Sequence, residues 1–284
     1  MCKIFKISIR LVFISLLLLL FFVCWRVLVA DRFIVPSNSM YPTLQQGDRV
    51  LVNKLIFGAR IYNNLDSIKN GKLTCWRTRG MREIKHNDIL VFNFPKKDDK
   101  LFFKMNYVFV KRCIALPGDS ISTINSFYKN NNFSELLGNI ENQTILNATD
   151  LDMLDASVKY CQKSNNNDSC HTIKNFGPLY VPRRGDIKQF TKNNILPYKS
   201  AIEYETGVNI NSLFNTVSDT VTYCFKQNYY FMAGDNVLDS GDSRYWGFVP
   251  EDYIVGVVYA VLFNKNKQTG EISFNNSRIF KNGK

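Results

Sequence analysis

Three short segments of this chain carry side chains that could do covalent chemistry, and their surroundings single them out more than their identities. Ser39 lies in Pro36-Ser37-Asn38-Ser39-Met40-Tyr41-Pro42-Thr43-Leu44, a few residues beyond an apolar stretch. Lys111 lies inside Tyr107-Val108-Phe109-Val110-Lys111-Arg112-Cys113-Ile114-Ala115, where two-residue alternation puts it on one apolar face with Phe109 and Cys113. A lysine desolvated there would lose its proton more readily than in water, where its pKa is about 10.4, and a neutral amine can take a proton from a hydroxyl. Taken alone, Lys111-Arg112 can equally be the charged edge of a strand. The third segment, Gly234 to Pro250, crowds turn formers, acids and hydroxyls between two strands. Histidine offers no easier base: only His86 and His171 are present, His86 reads as a turn residue, and a Ser-His-Asp triad is hard to assemble from them. A serine activated by a lysine is the chemistry these residues allow.

The elements that must position them are mostly strands. Arg49–Val52, Ile89–Phe94, Tyr107–Ala115, Tyr229–Met232 and Ile254–Phe263 are rich in Val, Ile, Phe and Tyr. Gly47-Asp48, Asn87-Asp88, Pro117-Gly118-Asp119, Gly185-Asp186 and Gly234-Asp235 supply the turns. The stretch 122–225 breaks this pattern, being rich in Asn, Ser and Lys in its first half, and reads as a peripheral insertion between core segments 31–121 and 226–284. Within it Leu146–Tyr160 is expected to be a helix, and the triplet Asn142-Gln143-Thr144 is what chance gives in so Asn-rich a segment.

Residues 1–10 carry Lys3, Lys6 and Arg10 and no acid, and residues 11–30 are almost wholly apolar, about the length a bilayer core requires. The basic start places the N-terminus in the cytoplasm and residues 31–284 outside. A removable signal peptide ending at Ala30 is the competing reading. Trp25, Phe33, Trp246 and Phe248 are expected at the lipid interface. The formal charge of +12 comes from Lys and Arg scattered among Asn, which fits anionic lipid better than nucleic acid. Seven cysteines include no Cys-x-x-Cys pair, so neither metal nor cofactor is expected. A Cys161–Cys170 disulfide is one option, while Cys75, Cys113 and Cys224 read as small packed residues.

Taken together and in order, the serine loop, the Lys-Arg strand with Leu116-Pro117-Gly118-Asp119, and Gly234-Asp235-Asn236 through Pro250 resemble the type I signal peptidase family. Gly47 to Val52 and Asp88 to Phe92 extend the likeness. It implies a mainly β fold: an antiparallel, β-rich catalytic domain behind a single N-terminal transmembrane helix. It also implies a serine endopeptidase of the bacterial plasma membrane that removes signal peptides from preproteins after small residues. Carried onto this sequence, Ser39 would be the nucleophile and Lys111 its general base. Ser37 and the Ser39 N–H would form the oxyanion hole, and Ser240 would orient the amine. Asp235 and Asp242 would pair with Arg112 and Arg244, while Phe33, Val35, Pro36, Met40, Leu44, Phe109 and Val110 would line shallow substrate pockets. Val237 departs from the family, which commonly has arginine there. A protease specialised for one pilin-like substrate and an inert anchored β-domain are the other readings; a self-cleaving repressor would need a DNA-binding domain where this chain has its apolar segment.

Overall fold

A computed structural model of the chain describes residues 2–63, 71–93, 101–159, 161, 171–214 and 220–280. It begins with a helix, Cys2–Cys24, continued by one π-helical turn, Trp25–Val29. Within it Ile7–Val29 is long and apolar enough to cross a membrane, and none of it is buried against the rest of the protein. At 1.5 Å per residue its 23 residues span about 35 Å, enough for a hydrocarbon core of about 30 Å.

Strands follow directly. They are β1 Ala30–Ile34, β2 Asp48–Asn53, β3 Arg60–Tyr62, β4 Cys75–Arg77, β5 Ile89–Asn93, β6 Val108–Ala115, β7 Ser120–Ile124 and β8 Phe127–Asn130. After these come β9 Phe176–Tyr180, β10 Ile187–Thr191, β11 Thr220–Cys224, β12 Tyr229–Ala233, β13 Val249–Pro250, β14 Ile254–Lys265, β15 Ile272–Ser273 and β16 Arg278–Ile279. The main antiparallel sheet runs β1-β2-β14-β5-β6-β12-β13. Its central strands are apolar on both faces, as strands covered on two sides must be: every residue of β5 and β12 is buried. The expected strands therefore form, with ends displaced by one or two residues and Phe94 outside the described residues.

Four of the five expected turns share one construction. Gly47, Asn87, Gly118 and Gly185 each adopt positive φ, which glycine and asparagine tolerate best. The aspartate that follows accepts the N–H three residues earlier: Gln45 to Asp48 at 2.8 Å, Lys85 to Asp88 at 2.8 Å, Leu116 to Asp119 at 2.8 Å and Arg183 to Asp186 at 2.9 Å. Each turn thus closes one strand entry with a charge-assisted bond. Gly234-Asp235 looks the same in sequence but is built differently, as described below.

Ile114 and Ala115 of β6 and Tyr229 and Phe231 of β12 pack in one apolar cluster with Leu137, Leu146, Phe176 and Ile202 of the middle segment. The stretch expected to be a peripheral insertion thus shares a core with the central strands. Val237 is buried in this same cluster, which explains an apolar residue at that position.

Several expectations are corrected. The helix of the middle segment is Ile140–Ala148, capped by Asn139 and ended by Thr149 in extended conformation; Leu151–Met153 and Ala156–Lys159 are separate short turns. Asp150 caps Leu151–Met153 by accepting the N–H of Asp152, which is why the acids there start a turn and do not continue the helix. Trp246 and Phe248 belong to the core, being 9% and 3% exposed; Phe248 packs tilted against Tyr198 and edge-on to Tyr229. Trp25, by contrast, is 48% exposed beside Phe21. Cys113 and Cys161 are buried, and burial pushes the Cys161 thiol up to about 12, but Cys224 is exposed. Cys170, and with it the Cys161–Cys170 pairing, lies outside the described residues. His86 does more than turn the chain: its Nε2 lies 2.7 Å from Asp119 Oδ2 and its ring stacks on Phe133. Burial raises the Asp119 carboxyl, yet hydrogen bonds from His86, Asn130, the Leu116 N–H and Asn132 outweigh it and bring the group down to about 2.

Candidate active site

Lys111 sits on β6 opposite Leu90 of β5, two positions before the β12 partner pair Met232 and Cys113. The β12 ladder ends one residue short of it, at the Ala233 and Arg112 pair, and Lys111 is 1% exposed. Its Nζ hydrogen-bonds Ser39 Oγ and lies 5.8 Å from the centre of the Phe109 ring. Burial is the largest influence on the amine and brings it down to about 8; the Asp242 carboxylate pulls it back up, and the Arg244 guanidinium pushes it down again. A fraction of roughly a tenth is then uncharged at pH 7, against less than a thousandth for an ordinary lysine. The amine is thereby able to take the proton of the hydroxyl it already touches.

The nucleophile loop is held in place by its own apolar residues. Val35, Met40 and Leu44 are buried with Val50 and Val52 of β2 and with Val110. Full burial of Met40 and Leu44 contributes about 1.5–3 kcal/mol each to holding the loop down. Between them Ser39 stays at the surface of this cluster, 9% exposed. Among the described residues its backbone N–H donates to no acceptor, and the Ser37 hydroxyl lies 3.3 Å from Ser39 Oγ. The Ser39 N–H is therefore available beside the nucleophilic oxygen, and the Ser37 hydroxyl, which here donates to Ser39 Oγ, would turn to join it where an oxyanion forms. Of the residues expected to contact substrate, Phe33 and Phe109 are partly buried and Pro36 is exposed, whereas Val35, Met40, Leu44 and Val110 are buried in the apolar cluster beneath them.

The loop after β12 clamps this arrangement from the other side. Asp235 accepts from Arg112 Nε and Nη2 at 2.7 and 2.6 Å and from Thr43 Oγ1 at 2.5 Å, tying β6 to the nucleophile loop. The Asn236 N–H and side-chain amide donate to the carbonyls of Ser39 and Asn38. Asp242 is fully buried and accepts from Arg244 Nε and Nη2 at 2.8 and 2.7 Å, from Ser240 Oγ at 2.7 Å and from the Gly234 N–H at 2.9 Å. Burial raises the Asp242 carboxyl, but Arg244 and the other donors outweigh it and leave the group below the usual range. Ser240 differs from expectation here: its hydroxyl is bonded to Asp242 and makes no bond to the Lys111 amine. Gly234 is required for steric reasons, since a Cβ would come within 2.1 Å of Ser240 Oγ and 2.4 Å of the Ser39 carbonyl oxygen.

One residue escaped sequence reasoning. Asn142 Nδ2 donates to the Tyr41 carbonyl at 2.9 Å and to the Asp235 carbonyl at 2.7 Å, bridging the nucleophile loop to the loop after β12. Its helix is fixed at that end by Asn139, which accepts the Asn142 N–H at 2.8 Å, and by buried Gln143, bonded to Leu137 and Tyr128. Nothing in an Asn-rich stretch distinguishes this asparagine from its neighbours. Asn142→Ala is expected to lower kcat about tenfold with KM little changed, because two loop-to-loop bonds of about 0.5–1.5 kcal/mol each are lost while the fold remains. Steady-state kinetics alongside thermal unfolding would separate that outcome from plain destabilisation.

A serine hydrogen-bonded to a buried lysine of lowered pKa, on an antiparallel sheet, is an arrangement able to do serine-hydrolase chemistry with a lysine as the base. The profile of the family described as "Signal peptidase, peptidase S26" matches residues 8–263, and the chain belongs to that family. It is 30% identical over 260 residues to the signal peptidase I of Buchnera aphidicola subsp. Acyrthosiphon pisum, covering 87% of this chain and 72% of that protein. It is 29% identical over 278 residues to that of Buchnera aphidicola subsp. Baizongia pistaciae, covering 91% and 77%. Against the signal peptidase I of Aquifex aeolicus the identity is 25% over 239 residues, covering 83% and 77%.

Proposed function

We propose that this serine endopeptidase of the signal peptidase family removes signal peptides from exported preproteins through Ser39 and Lys111. Neutral Lys111 takes the Ser39 proton as Oγ attacks the scissile carbonyl, and the developing oxyanion accepts from the Ser39 N–H and the Ser37 hydroxyl. The ammonium so formed protonates the departing amine. A water that has lost its proton to the same lysine then hydrolyses the acyl-enzyme. Arg112, Asp235, Ser240, Asp242 and Arg244 hold these groups in register, and small side chains of an extended substrate fit against Phe33, Val35, Pro36, Met40, Leu44, Phe109 and Val110. The reading also takes residues 11–30 as a single membrane crossing of a bacterial plasma membrane, with residues 1–10 cytoplasmic. Residues 31–284 are then the extracytoplasmic catalytic domain, with a core of 31–121 and 226–284 and an insertion at 122–225.

The single observation that carries this reading is the Lys111 Nζ to Ser39 Oγ hydrogen bond inside a buried pocket. A preprotein incubated with the detergent-solubilised chain should be cut once at the end of its signal peptide, and Ser39→Ala should leave it intact. With the amine at about 8, kcat/KM should rise close to tenfold per pH unit from pH 5.5 to 7.5 and level off above about 8.5. A profile that is flat over this range contradicts a lysine base.

A further inference from the structure

Where the N-terminal helix meets the catalytic domain there is a cavity of about 320 Å³, within the range of small-ligand sites. Its lining combines Arg26, Lys54 and Arg60 with the single acid Asp31, and with apolar Val27 and Val255. Three positive charges and one negative leave a net +2 around this space. Asp31 is already engaged, accepting from Arg26 at 2.8 Å and lying 3.8 Å from Lys54 Nζ.

Arg60 is the unusual member. It is 9% exposed, and its hydrogen bonds all leave from Nη1, to Asn93 Oδ1 at 2.8 Å and to the carbonyls of Asp252 and Tyr253 at 3.0 and 3.2 Å. Those acceptors are neutral, and among the described residues no carboxylate lies within ion-pair distance of its guanidinium. Buried cations are ordinarily paired with an anion; Arg60 is held by neutral acceptors at Nη1 and by the rings of Tyr62 and Phe103 at 5.6 and 5.9 Å, which leaves its Nε and Nη2 without an acceptor among the described residues beside the cavity. Depth agrees with this: the apolar span Ile7–Val29 ends at the cavity, and Arg26 stands in its last turn, level with lipid headgroups if the helix crosses the bilayer.

We infer that the Arg26, Lys54 and Arg60 cavity binds the phosphate of an anionic phospholipid headgroup. Arg60 offers a planar Nε and Nη2 pair of donors suited to phosphate oxygens, Arg26, whose Nε and Nη2 go to Asp31, and Lys54 add positive charge, and Val27 and Val255 accept the glycerol end of the acyl chains. Occupied, the site would fix the height and tilt of the catalytic domain over the membrane, and so the approach of Ser39 to a substrate lying in the same plane. This inference rests on the membrane-anchored reading above.

The full chain in an uncharged maltoside detergent, titrated with phosphatidylglycerol, phosphatidylcholine or diacylglycerol and read by native mass spectrometry, tests it. Phosphatidylglycerol should bind at least tenfold more tightly than diacylglycerol, which has no phosphate. Lys54→Gln should weaken that binding about tenfold, and Asp31→Asn, which removes the only acid, should tighten it severalfold. The gain keeps the test decisive even where a loss could come from misfolding. Displacement of the lipid by 10 mM inorganic phosphate would identify free phosphate as a source that also fills the site, and no displacement would mark the lipid as the ligand. Equal affinity for phosphatidylglycerol and diacylglycerol, or affinities unmoved by both substitutions, overturns the inference. A chain that resists alkaline extraction from membranes yet shows no lipid preference defeats only this inference, whereas one released by alkali defeats the anchoring reading.

Discussion

Lys111→Met abolishes cleavage, lowering kcat by about 10⁴-fold or more, without lowering the stability of the fold. The lysine serves twice, as base for Ser39 and as acid for the departing amine, and one such proton transfer is worth about 10²–10⁴-fold. Methionine has nearly the same length and no charge to bury. Because the pocket already disfavours the ammonium, the substitution relieves desolvation and leaves packing against Phe109 intact. Lys111→Arg separates charge from basicity: it keeps a cation at the position but cannot give up its proton, and should be as inactive as Lys111→Met. Single-turnover cleavage of a fluorogenic signal-peptide substrate, with unfolding followed in parallel, reads both effects. A Lys111→Arg variant with appreciable activity would mean that a positive charge suffices.

Asp242→Asn should be the most destabilising conservative change at the site. Arg244 is 1% exposed and Asp242 fully buried, and the carboxylate holds the guanidinium by two bonds while also accepting from Ser240 and Gly234. Removing one partner of a buried pair leaves the other charge uncompensated, at about 3–5 kcal/mol, a large share of the roughly 5–15 kcal/mol that holds a domain folded. The electrostatic consequence has a definite sign. Asp242 raises the Lys111 amine and Arg244 lowers it, so neutralising Asp242 moves the amine below about 8. The residual activity should therefore reach its plateau at lower pH than in the parent. Denaturant unfolding gives the first quantity and the pH dependence of kcat/KM the second. The double change Asp242→Asn with Arg244→Met should regain much of the stability, since it removes the orphaned charge.

The sheet strands were legible because buried strands of Val, Ile, Phe and Tyr are strongly patterned. Lys111 stood out for the same reason, as a cation placed where that pattern calls for an apolar side chain. The juxtaposition of Ser39 with Lys111, 72 positions apart in sequence, needed the order of three segments to suggest it. What remained hidden depends on tertiary context. Gly234-Asp235 reads like the other Gly-Asp turns, yet there Asp235 turns to Arg112 and Thr43, away from its own backbone. Asn142 is one asparagine among many until its helix is seen against two loops. Trp246 and Phe248 follow a polar loop, as interfacial aromatic residues would, but they close the core beneath it. The middle segment looked peripheral from composition, because the apolar residues by which it supplies most of the shared cluster, Leu146, Phe176 and Ile202 among them, are dispersed among polar ones.

The central claim is an uncharged amine on Lys111 at working pH, in contact with Ser39. Its most direct test is the titration of Lys111 itself, followed through the Cε carbon by NMR in lysine-labelled protein and assigned by comparison with Lys111→Met. A midpoint near 8, well below the 10.5 of an exposed lysine, is the predicted result. A Lys111 signal that titrates with the other lysines, near 10.5, would contradict it.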